Sequence, residues 1–78
     1  MLRLELYKET QTEVVYNYFP EQEKEGGLLS VDKETGEIQI IEVAEIDTFN
    51  RYLHHAVSRL EQYYKSGSYL EKDTVAWY

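Results

Sequence analysis

His54 and His55 are neighbours in a stretch that also holds Ser58, Arg59 and Glu61, residue types that can bind metal ions or pass protons. On a helix adjacent side chains point about 100° apart, so the two histidines cannot share one ion, whereas an i, i+4 pair can. The i+4 partners here are Ser58 and Arg59, which leaves no ligand set. A Ser58–His54–Glu61 relay would place all three groups on one exposed helical face, with no pocket and no donor for an oxyanion. Carboxylate pairs could do acid–base work, but Glu42 and Glu45 fall at a strand end and Glu21, Glu23 and Glu25 in a solvated loop, where nothing raises a carboxyl pKa. Gly26-Gly27 precedes a strand rather than a helix and no P-loop lysine follows, so there is no phosphate cradle. No catalytic residue, metal, cofactor or small-molecule ligand is expected, and the chain reads as a non-enzyme.

The element that organises the chain is the segment 47–67 (DTFNRYLHHAVSRLEQYYKSG). At helical spacing, Phe49, Tyr52, Leu53, Ala56, Val57, Leu60, Tyr63 and Tyr64 fall in one arc and His54, His55, Ser58, Glu61 and Lys65 in the opposite one. The pattern predicts a helix over about 48–66, with Asp47 as N-cap and Gly67 accepting the left-handed position after its last turn.

Ahead of it lie strand signals. Leu2, Leu4 and Leu6 alternate with Arg3, Glu5 and Tyr7, and EVVYNYF at 13–19 is rich in β-branched and aromatic residues before Pro20 stops it. The strands are placed at about 2–7, 13–19, 28–32 and 37–43. Between the last two, Lys33-Glu34-Thr35-Gly36 fits a type I turn closed by a left-handed glycine. That turn pairs Val31 with Ile38, Ser30 with Gln39, Leu29 with Ile40 and Leu28 with Ile41. It puts Leu29, Val31, Ile38 and Ile40 under the helix, and Leu28, Ile41 and Val43 on the other face. The acidic segment 21–27 is a solvated loop and the expected mobile part. The final Val-Ala-Trp-Tyr should dock over about 74–78, as an edge strand or with Val75 and Trp77 on the open face.

The chain has 78 residues, no cysteine and a net charge of −7. One domain is expected, with no disulfide framework. The leucines of the first residues are separated by charges, so a signal peptide or membrane span is not expected and a cytosolic location is. Residues 1–46 carry 11 acids against 4 bases. That excess repels phosphate backbones and anionic lipid, which argues against direct nucleic-acid or membrane binding. Tyrosine is abundant, at 8 residues. Its rings can fill core volume or form an interface.

YNYFPE from Tyr16, DKETGEI from Asp32 and the closing VAWY together resemble small uncharacterised proteins of Gram-positive bacteria and their phages. The resemblance spans most of the chain, rests on a hairpin turn and aromatic anchors, and implies no catalytic residue.

The expected fold is α+β, an antiparallel meander of three to five strands with one amphipathic helix on one face. The expected function is that of a small acidic protein-interaction module binding a protein partner or a second copy. Its surface would comprise Val15, Phe19, Leu28, Ile41, Val43, Trp77 and Tyr78. The alternative is an acidic decoy that mimics nucleic acid toward a nucleic-acid-binding protein, disfavoured because Lys8, Lys24 and Lys33 interrupt the acids. A small enzyme is the third reading.

Overall fold

A computed structural model of the chain describes residues 1–47 and 50–76. Five strands, β1 (Leu2–Glu9), β2 (Glu13–Pro20), β3 (Gly27–Asp32), β4 (Ile38–Glu42) and β5 (Lys72–Val75), and one helix, α1 (Arg51–Ser66), account for most of it. The sheet order is β4-β3-β2-β1-β5, and every neighbouring pair is antiparallel. The first four strands form a meander, and α1 carries the chain back across the sheet so that β5 joins the free side of β1. The fold is thus α+β, an open five-stranded sheet with the helix packed on one face.

Period-two alternation decides which side chains meet the helix. Leu2 and Leu4 on β1, Val14, Tyr16 and Tyr18 on β2, and Leu29 and Val31 on β3 form one buried cluster with Leu53, Ala56, Leu60 and Tyr63 of α1. Tyr52, Val57 and Tyr64 of the helical stripe are half-buried against it, while Phe49, also assigned to the stripe, lies outside the described residues. Asp47 is a cap at a distance. The backbone turns through Asn50, which has φ 56°, and α1 begins at Arg51. The buried Asp47 carboxylate nevertheless accepts from the amides of Tyr52 (3.1 Å) and Leu53 (2.8 Å), two of the four donors that the first turn leaves free. At the other end Gly67, with φ 75°, donates to the carbonyls of Tyr63 and Tyr64.

In the hairpin, Gly36 has φ 79° and its amide bonds to the Asp32 carbonyl at 2.8 Å. Val31, Ser30 and Leu29 pair with Ile38, Gln39 and Ile40 as expected. The next pair is a correction. Leu28 faces Glu42, not Ile41, because Ile41 is an extra residue in a bulge on the edge strand. A second irregularity falls at Tyr7 on β1.

Of the two dockings expected of the tail, its described part takes the edge strand. Its strand lies along β1, at the far edge of the sheet from β4, and Val75 opposite Leu2 joins the core on the helix side. Val75 therefore does not cover the open face near Ile41. Trp77 and Tyr78 lie outside the described residues.

Five tyrosines, Tyr16, Tyr18, Tyr52, Tyr63 and Tyr64, act as struts, each with its ring at least partly buried and its hydroxyl tied to another segment, whereas Tyr7 is exposed. Tyr16 donates to the Leu70 carbonyl at 2.5 Å, Tyr63 donates to Asp73, and Tyr64 donates to the Glu34 carbonyl at 3.0 Å. The Tyr18 hydroxyl accepts from the Ala44 amide at 2.9 Å. Tyr52 donates to Glu21 at 2.5 Å, a bond that holds the Glu21 carboxyl below its usual range. The rings of Tyr16 and Tyr63 lie 5.6 Å apart, and Tyr69 meets Tyr63 edge-on at 6.4 Å.

Burial first, and the bond to Asp73 second for Tyr63, push the phenols of Tyr16 and Tyr63 far above their ordinary value. The native state holds those protons after the unfolded chain has released them. Stability from this source is complete below about pH 10, the unfolded value, and is lost as pH climbs beyond it. Urea unfolding repeated between about pH 9 and 11 should show a steep decline. In Tyr63→Phe that decline should be shallower. A stability flat across that interval, or tyrosinate absorbance rising fully before unfolding, counts against the strut description.

Candidate functional site

His54 is exposed and His55 half-buried, with Ser58 and Glu61 also on the exposed side of α1. Among the described residues no group of three or more His, Cys, Asp or Glu side chains converges. An ion that bound only the folded form would raise the melting temperature. Zinc or magnesium added at micromolar to millimolar levels should leave it unchanged, and a rise of several degrees in a thermal scan would locate a ligand set that this geometry lacks.

The open face and its β4 edge are a different matter. β4 is an outermost strand, and no further strand pairs with its outer side among the described residues. Edge strands usually carry charges, prolines or very short runs that discourage pairing with another chain. β5, the opposite edge, fits that rule with four residues reading Lys-Asp-Thr-Val. β4 departs from it. From Ile38 to Ile41 it reads Ile-Gln-Ile-Ile, without charge or proline. Ile40 is 53% exposed and Ile41 54%. Ile40 shares the helix-side face with Leu29, yet α1 does not cover it.

Beyond Glu42 the chain leaves the sheet and Val43 (41% exposed) and Ile46 (57%) project outward. The buried Ala44 between them is held by the Tyr18 hydroxyl. Together with Phe19 these two side chains line an open concavity of about 780 Å³, and Glu23, Glu25, Glu42 and Glu45 stand around it with Lys24 as the one cation among its lining residues. Its far wall is the loop after β2. That loop is tied down, not simply solvated. Arg3 stacks on the Phe19 ring at 4.8 Å and donates to the Glu23 carbonyl at 2.7 Å, which fixes the wall relative to β1 and β2.

The residues expected to form an interaction surface are therefore partly brought together. Phe19, half-buried, and Val43 line one concavity, while Leu28 is half-buried opposite Glu42 and Ile41 stands exposed in the bulge. Val15 is only 6% exposed. It sits on the central strand between Lys8 and Ser30, and is not available to a partner. Trp77 and Tyr78 lie outside the described residues. Ile40 and Ile46 are exposed as well, which was not foreseen.

Charge is as uneven as apolarity. Residues 34–50 contain five acids, Glu34, Glu37, Glu42, Glu45 and Asp47, and no base. No helix among the described residues is long and apolar enough to cross a membrane. Comparison with protein-family models, with curated protein sequences and with solved structures returns no match.

Proposed function

We propose that the chain is a protein-interaction module that binds through β4 and the apolar surface beside it. The observation that carries this reading is the exposed β4 edge, uncharged from Ile38 to Ile41, with Ile40 and Ile41 exposed on it and Val43 and Ile46 exposed on the segment that follows. Exposed apolar groups scattered singly are ordinary, but several along one short edge segment mark a place where another chain fits. The occupant is a protein segment or a second copy of this chain. A cytosolic setting agrees with the lack of cysteine.

The test uses Ile41→Lys, which installs the kind of charge that guards natural edges without touching the core. A displayed library of random peptides of about ten residues, long enough to span a strand, is selected on the immobilised wild type and depleted on the variant. Sedimentation of both proteins reads self-association. Binders or dimers present for the wild type and absent for Ile41→Lys support the module. If neither exists, with the variant as stable as the wild type in urea, the reading fails.

A further inference from the structure

Resting on that reading, we infer that the occupant of β4 is an extended, lysine- or arginine-flanked segment of another protein, added to the sheet as a sixth strand. Three features of the edge lead there. The outer N–H and C=O groups of Ile38–Glu42 offer main-chain pairing without sequence preference, the usual source of affinity in strand addition. A strand laid there would alternate its side chains between the two faces of the sheet. One set would meet Ile40, and the other would enter the concavity floored by Phe19, Val43 and Ile46.

Charge then selects the occupant. With no base between residues 34 and 50, and with Glu42 and Glu45 at the rim of the concavity, the edge attracts cations and repels acidic chains. The chain's own β5 is ruled out, since it is fixed at the opposite edge beside β1. A second copy is disfavoured by the same charges. Antiparallel self-pairing centred on Ile40 would set Glu42 of each copy opposite Ile38 of the other, next to its Glu37, and like charges so placed oppose association. A basic, apolar-alternating segment satisfies the backbone, the isoleucines and the carboxylates together.

The peptide selection above also tests this inference, read for composition and followed by one synthetic peptide carrying the most enriched sequence. The expected binders alternate apolar residues, lack internal proline and are enriched in lysine or arginine at their ends. The synthetic peptide should slow amide exchange at Ile38–Glu42 and lose about tenfold or more in affinity when its basic residues are changed to glutamate. Val43→Lys should weaken it as well, while His54→Ala on the far side of α1 should not. Binders that depend on β4 but show no excess of basic residues, or that protect the open face and not the Ile38–Glu42 amides, overturn the inference and leave the module standing. A wild-type dimer dissolved by Ile41→Lys makes the second copy the occupant and overturns it too. The absence of any β4-dependent binding overturns both.

Discussion

Leu60→Ala should lower the unfolding free energy by about 2–5 kcal/mol, a large share of the roughly 5–15 kcal/mol that holds a small domain together. Leu60 is fully buried in the cluster that joins α1 to β1, β2 and β3, so truncation removes apolar contact and leaves a cavity that the β-branched and aromatic neighbours cannot readily close. His54→Ala, at an exposed position of the same helix, should change stability by no more than about 0.5 kcal/mol. Alanine's higher helix propensity offsets whatever small contact is lost. Urea unfolding of both variants decides the matter. Equal losses would mean that the helix presents the other arc to the sheet.

The helix and the hairpin were legible because their determinants are local. A 3.6-residue stripe from Tyr52 to Tyr64 and a glycine at the left-handed position of a four-residue turn need no knowledge of the rest of the chain. The register from Val31 to Leu29 followed from that turn alone, and it broke where a non-local event intervened, the bulge that sets Ile41 aside and brings Glu42 opposite Leu28. The site was harder for the same reason. Whether Val15 is exposed depends on its strand lying at the centre of the sheet, and whether Ile40 is exposed depends on its strand lying at the edge. Strand order is not written in alternation. The tyrosines could be counted in the sequence, but their role as struts required knowing that Tyr16 reaches Leu70, Tyr18 reaches Ala44 and Tyr64 reaches Glu34, contacts that span 54, 26 and 30 residues.

Gly27→Ala should cost about 3 kcal/mol or more, because two immovable neighbours occupy the space its methyl group needs. A Cβ at Gly27 would lie 2.1 Å from Cε1 of Tyr18 and 2.5 Å from the Glu42 carbonyl oxygen. Tyr18 is fully buried and cannot swing aside without releasing the Ala44 amide that its hydroxyl satisfies, and an orphaned buried donor costs about 1–3 kcal/mol by itself. Glu42 belongs to β4, whose pairing with Leu28 sets the end of the candidate edge. Gly67→Ala is the control, for nothing lies within 4 Å of that Cβ and only its left-handed backbone, φ 75°, resists the change, at about 1–2 kcal/mol. The ring's share can be isolated by repeating Gly27→Ala in a Tyr18→Leu background. If the ring is the obstacle, the two changes together should cost less than their sum by about 0.5–3 kcal/mol. Because the Tyr18–Ala44 bond also anchors the segment that carries Val43 and Ile46, Gly27→Ala should weaken β4-dependent peptide binding even at temperatures where the variant remains folded. Full additivity in urea, with peptide affinity intact, would show that Gly27 merely ends a strand and does not shape the surface beside it.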